Sequence, residues 1–149
     1  MSVQYLHPGN FALVMATGII SIGMKLIGNT VLADILFLFA VCAWLTLIVL
    51  SLMRLLRFAT QLRDELLNPR MVFAYFTLVA ATDIVGMLLL DRGYSSLAIA
   101  CWIIAFGAWC SLLYLAFSVL TFLSHEHNVN IVHGGWLITI VGTQSLVLL

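Results

Sequence analysis

The order of apolar and polar positions divides the chain into five long apolar runs separated by short polar breaks. A helix needs about 20 mainly apolar residues to cross a bilayer, and the first four runs meet or approach that length. The pattern therefore predicts an all-α integral membrane protein, a single transmembrane domain over residues 1–149 with five transmembrane helices. The predicted helices are Phe11–Gly28, Val31–Met53, Met71–Leu90, Leu97–Leu123 and Gly134–Leu149.

The composition is that of a protein whose surface is mainly in contact with lipid. Of the 149 residues 64% are hydrophobic and 8% are charged, whereas a soluble domain carries about 25% charged residues. The net charge is zero, which gives no indication of nucleic acid as a partner. The cysteines, Cys42, Cys101 and Cys110, lie within apolar runs and are interpreted as small buried side chains. The sequence contains no nucleophile, phosphate-loop or metalloprotease motif, so we expect neither an enzyme nor a bound metal or cofactor.

Basic residues predict the orientation. Four arginines, Arg54, Arg57, Arg63 and Arg70, separate the second and third runs, and cytoplasmic loops carry an excess of basic residues. We therefore expect a multi-pass protein of the plasma (inner) membrane with a cytoplasmic N-terminus. The amphipathic stretch 52–66 is predicted to lie along the inner interface.

Small and large residues are divided between the predicted helices. The first, third and fifth hold most of the glycines, whereas the second and fourth hold most of the large aromatic side chains. Small residues let helices approach closely or leave a lumen open. We therefore expect the odd-numbered helices at the centre and the even-numbered ones at the periphery.

Polar side chains form a stripe along the first helix. Asn10, Val14, Thr17, Ser21 and Lys25 recur at intervals of three or four residues, which places them on one face. Several odd-numbered helices carry such polar positions, which favours a polar-lined path. The alternative is tight helix packing with hydroxyls bonded to the carbonyls of their own helix.

Asp83 is a carboxylate deep within the third predicted helix. A charge at this depth costs about 2.5–3.5 kcal/mol or more, so it needs a partner or a function. Lys25 lies about 21 Å along the first helix and Asp83 about 18 Å along the third. We predict that the two form a charge pair, or that Asp83 is a proton site. The alternatives are a bond from Asp83 to a hydroxyl such as that of Thr82, and a pair between Lys25 and Asp34.

Histidines leave a second class of function open. All four, His7, His125, His127 and His133, fall on the predicted cytoplasmic side. Surface positions are the favoured interpretation, but a membrane redox or haem-binding subunit remains an alternative.

Three stretches resemble one known family. The segments "HPGNFALVMATGIISIG", "FAYFTLVAATDIVG" and "HGGWLITIVGTQSLVLL" are similar to the first, third and fifth helices of the tellurite-resistance/dicarboxylate transporter family. That family includes the slow-type anion channels of plants. The resemblance implies a ten-helix bundle of hairpins around a central pore, of which this chain would supply the first half. It also implies transport of anions such as C4-dicarboxylates (malate, for example), sulfite, chloride or nitrate.

Helical spacing and this resemblance together give a candidate substrate path. Its predicted residues are Thr17, Gly18, Ser21, Thr77, Thr139, Gly142 and Thr143. The expected partners are the lipid bilayer, a small anionic substrate, and either further copies of the chain or a missing C-terminal half. A non-transporting, truncated membrane protein is the remaining alternative.

Overall fold

The computed structural model describes residues 8–57, 59–66, 68, 71–123 and 137–149. Within these ranges the chain forms α-helices, short 3₁₀ helices and turns, and no strand. The 3₁₀ helices are Pro8–Asn10 and Val72–Tyr75. The α-helices are α1 (Phe11–Leu26), α2 (Thr30–Arg57), α3 (Ala59–Leu66), α4 (Phe76–Leu90), α5 (Ser95–Leu123) and α6 (Leu137–Leu148).

Four helical segments of the described chain are long and apolar enough to cross a membrane. They are Pro8–Leu26, Thr30–Arg57, Val72–Leu90 and Ser95–Val119. The prediction of an all-helical membrane protein is therefore confirmed. The predicted fifth span corresponds to α6, an apolar helix of 12 residues, while residues 134–136 of that prediction lie outside the described residues.

The third span begins differently from its prediction. A 3₁₀ helix, Val72–Tyr75, replaces the first α-helical turn, so that α4 starts at Phe76 rather than at Met71. The Thr77 hydroxyl lies at this junction, 2.6 Å from the carbonyl oxygen of Ala74 and 2.8 Å from that of Pro8. It thereby sets the start of α4 level with the start of α1.

Two glycines close the two described helical hairpins. Gly28 follows α1 with φ +88° and Gly93 follows α4 with φ +85°, a left-handed conformation that favours glycine. In each turn the next residue donates to a carbonyl five positions back, Asn29 to Met24 at 2.9 Å and Tyr94 to Leu89 at 3.0 Å. These bonds satisfy carbonyls that the helix end would leave exposed, and they permit very short connections.

Burial is concentrated in the third span. In its most apolar window 72% of the residues are buried, against 22% in the first span, 6% in the second and 17% in the fourth. Helix α4 packs against α1, α2, α5 and α6. The third span is thus the central one, as expected, whereas the first span is only slightly more buried than the fourth.

Candidate functional site

Gly18 lies at the closest approach of α1 and α4. A Cβ added at Gly18 would clash with Cγ2 of Ile84 and would lie 3.4 Å from Cδ1 of Leu88. Gly18 is buried, so in the described body it lies between two helices. Its small size serves the contact between α1 and α4.

The hydroxyls of α1 bond within the helices rather than towards an open space. Ser21 is buried and donates to the carbonyl oxygen of Ala33 on α2 at 2.7 Å. Thr17 donates to the Leu13 carbonyl oxygen of its own helix at 2.8 Å. The alternative interpretation of the polar stripe, hydroxyls bonded to the carbonyls of their own helix, describes Thr17. Ser21 differs, because its hydroxyl bonds to a carbonyl of the neighbouring helix α2.

The candidate residues of the fifth span contact two neighbouring helices, α4 and α5. A Cβ at Gly142 would lie 3.3 Å from Cδ1 of Phe76 on α4. Thr143 accepts a bond from Nε1 of Trp109 on α5 at 3.1 Å and donates to the Thr139 carbonyl oxygen at 2.9 Å. Thr139 Oγ1 is buried and has no hydrogen-bond partner among the described residues.

A second face of α1 carries small residues that the stripe argument did not identify. Ala12 and Ala16 are exposed, and a Cβ at Gly23 would meet no atom of the described chain within 4 Å. Their spacing of four and seven residues places them on one line, on which Ile19, 54% exposed, stands between Ala16 and Gly23. No polar residue marks this face, but a search of the sequence for small residues at helical spacing could have found it.

Asp83 is fully buried, with 0% of its surface exposed. Its Oδ2 lies 2.6 Å from Oγ of Ser145 on α6, and its Oδ1 has no hydrogen-bond partner among the described residues. The Thr82 hydroxyl, the alternative partner, instead accepts from Trp44 at 3.2 Å and donates to the Leu78 carbonyl oxygen at 2.8 Å. A buried carboxyl group therefore joins α4 to α6.

The predicted pair of Lys25 with Asp83 is wrong. Nζ of Lys25 lies 2.6 Å from Oδ2 of Asp91. The predicted depth of Asp83 is measured from Met71, whereas α4 starts at Phe76. This difference of five residues corresponds to an error of about 7.5 Å in depth. Counted from Phe76, Asp83 of α4 lies at the same height along the bundle as Gly18 of α1, and Asp91 lies at the height of Lys25.

The alternative partner for Lys25, Asp34, is also engaged elsewhere. Its Oδ1 accepts from Nη2 of Arg92 at 2.7 Å, and the Arg92 guanidinium lies 3.7 Å from the centroid of the Phe37 ring. Nη1 of Arg92 also lies 3.9 Å from Oδ2 of Asp91. Together with Lys25 these charges form the hairpin clamp, a network of three ion pairs that joins the end of α1 and the start of α2 to the turn after α4.

A second polar cluster lies at the other end of α2. Arg54, which is buried, forms an ion pair with Glu65 of α3. The other carboxylate oxygen of Glu65 accepts from the Tyr75 hydroxyl at 2.8 Å. These bonds attach the amphipathic helix α3 to the second and third spans.

Within the described ranges the structure contains no cluster of side chains that could hold a metal ion. No group of three or more histidine, cysteine or acidic side chains lies together there. All four histidines lie outside the described residues. Cys101 is buried, as interpreted from the sequence, but Cys42 and Cys110 are exposed, because α2 and α5 turn most of their surface outward.

Long apolar helices in short hairpins, with polar groups satisfied inside the bundle, define a multi-pass helical membrane protein. The model of the voltage-dependent anion channel family matches residues 5–149, and the chain belongs to this family. This match confirms the resemblance to the tellurite-resistance/dicarboxylate transporters. Proteins of this family are channels or transporters of anions and not enzymes. No curated protein and no solved structure matches the chain.

Proposed function

We propose that the protein passes anions across the plasma membrane, with a cytoplasmic N-terminus. The candidate substrates are C4-dicarboxylates such as malate, sulfite, and small inorganic anions such as chloride or nitrate. The observation that carries the proposal is the family match over residues 5–149. The placement of the third span between the first and the fifth supports it.

The path in this proposal follows the inner side of the odd-numbered spans. Thr17 and Thr143 keep side chains that are at least partly exposed and would offer hydroxyl groups to a partly dehydrated anion. The Thr139 hydroxyl is buried and would need a small side-chain rotation to reach the same path. Ala12, Ala16 and Gly23 would keep the first span narrow on its exposed side. Weak bonds at several positions suit passage, because an ion must leave as readily as it enters.

Four buried candidates have a supporting role in this proposal. Gly18 and Gly142 set the distance of the first and fifth spans from α4, and Ser21 and Thr77 fix α1 against its neighbours. Further helices, from a second copy of the chain or from a longer protein, would complete the enclosure of the path.

Uptake into liposomes tests the proposal. The protein is reconstituted and the entry of labelled malate, sulfite and chloride is compared with that into empty liposomes. We expect uptake of at least one anion, and a several-fold loss in Ala16→Leu, which thickens the exposed side of α1. The matched control is Ile103→Leu on the exposed face of α5, which should leave uptake unchanged. Uptake equal to that of empty liposomes for all three anions would refute the proposal.

A further inference from the structure

We propose that Asp83 is a proton-binding site: its carboxyl group is protonated in the folded protein at neutral pH. The protonated group donates to Oγ of Ser145, and Ser145 in turn donates to the carbonyl oxygen of Gly142. This chain of two bonds joins α4 to α6. It does not depend on the identity of the transported anion.

Ser145 has too few hydrogens for both of its contacts when Asp83 is ionised. Its Oγ lies 2.6 Å from Oδ2 of Asp83 and 2.9 Å from the Gly142 carbonyl oxygen. A serine hydroxyl has one hydrogen to donate and two lone pairs to accept with, and both neighbours are acceptors when Asp83 is ionised. Both bonds form together when Asp83 supplies the second hydrogen.

The surroundings of the Asp83 carboxyl group supply no positive charge among the described residues. Of the titratable side chains on the helices packed against α4, Cys101 of α5 lies beside Asp83, and it carries no positive charge. The other titratable groups near α4 lie at the two ends of the bundle. Lys25 pairs with Asp91, Asp34 with Arg92, and Arg54 with Glu65, which also accepts from Tyr75, while Arg57 is exposed at the end of α2. Cys42, Cys110 and Tyr114 are exposed on the outer helices.

The second oxygen of the carboxyl group also favours the protonated form. Oδ1 is buried without a hydrogen-bond partner among the described residues. An ionised carboxylate places about half of its negative charge on each oxygen, so a bare Oδ1 within the bilayer would be costly. In the protonated acid the same oxygen is a neutral carbonyl, for which a missing bond costs less.

Infrared spectroscopy of the reconstituted protein tests the proposal directly. A protonated carboxylic acid has a carbonyl stretching band that is separate from those of amides and ionised carboxylates. We expect this band in the wild type at neutral pH, with the downward shift in heavy water that an exchangeable acid proton produces. It should disappear in Asp83→Asn, whose amide can still donate to Ser145.

Two further variants make the assignment specific. Ser145→Ala keeps the acid but removes its acceptor, so the band should remain and move to higher frequency. Asp34→Asn alters a carboxylate that is 70% exposed and bound to Arg92, and should leave the band unchanged. Should Asp83→Asn fail to fold, the shift in Ser145→Ala still assigns the band.

Two results would overturn the proposal. One is a wild-type spectrum without a protonated-acid band, which would show that Asp83 is ionised. The melting temperature in sodium chloride and in choline chloride is then the second measurement to make. A higher value in sodium chloride would place a cation, in place of a proton, at the carboxylate. The other is a band that persists in Asp83→Asn, or does not shift in Ser145→Ala, since the acid would then be elsewhere.

Discussion

Gly18 and Gly23 lie on the same helix, five residues apart, but they have different neighbours. At Gly18 an added Cβ would meet Ile84 of α4, whereas at Gly23 it would meet no described atom within 4 Å. The atom nearest to an added Cβ at Gly18 is Cγ2 of Ile84. This methyl group is attached to the branched Cβ of isoleucine, so it cannot rotate away freely. The two positions therefore separate the effect of helix propensity from that of helix packing.

Alanine at each position should change stability in opposite directions. Alanine is favoured over glycine in a helix by about 1 kcal/mol, and Gly23→Ala should gain up to that amount. Gly18→Ala meets Ile84, and overpacking costs about 1–3 kcal/mol, so we expect a net loss. Denaturant unfolding in detergent micelles measures both. A gain in Gly18→Ala equal to that in Gly23→Ala would show that α1 and α4 are not in close contact there.

The hairpin clamp predicts which charge exchange restores stability. Lys25→Asp and Asp91→Lys should each destabilise the protein, and the double variant should recover about 0.2–1 kcal/mol, the usual range for a pair this exposed. Thermal unfolding of the four proteins in the cycle measures this coupling. Lys25→Asp combined with Asp34→Lys is the control and should show weaker coupling, because Asp34 binds Arg92 and is connected to Lys25 only through Arg92 and Asp91. Coupling with Asp34 but not with Asp91 would contradict the clamp.

At the scale of elements, the sequence could predict which segments are helical and apolar, because composition and length decide this. It could not give the relative register of α1 and α4. That register depends on the 3₁₀ helix Val72–Tyr75 and on the bond from Thr77 to Pro8, which no periodicity reveals. A shift of five residues was enough to assign Lys25 to Asp83 instead of Asp91.

Helix α3 should detach when its carboxylate is removed. Glu65 accepts bonds from Arg54 and Tyr75, and a bond to a charged group contributes about 1.5–3 kcal/mol. We expect Glu65→Ala to speed tryptic cleavage after Arg63 by about tenfold or more, as local opening becomes easier. Gln61→Ala, on the exposed side of α3, is the control and should leave the rate unchanged. Equal rates in both variants would show that this ion pair does not hold α3.

At the scale of the whole molecule, the distribution of glycines and aromatic residues predicts a central third span, and this span is the most buried of the four. Spans two and four are mostly exposed because each contacts the bundle along one narrow side. The polar stripe of α1 was less informative. A hydroxyl such as that of Ser21 can satisfy a neighbouring carbonyl as readily as it can border a path, and the sequence does not distinguish these uses.

Labelling of single cysteines would distinguish an aqueous path from a lipid-facing surface. In a background without Cys42, Cys101 and Cys110, Ala16→Cys on the first span should react with a membrane-impermeant thiol reagent, because water reaches a path for anions and allows thiolate formation. Leu38→Cys and Ile103→Cys, which are 63% and 59% exposed on the even spans, should stay unlabelled in liposomes because lipid surrounds them. Labelling after solubilisation and denaturation confirms that each cysteine is present. Reaction at the even spans, with Ala16→Cys protected, would place the aqueous path outside the odd-numbered spans and contradict the proposed route.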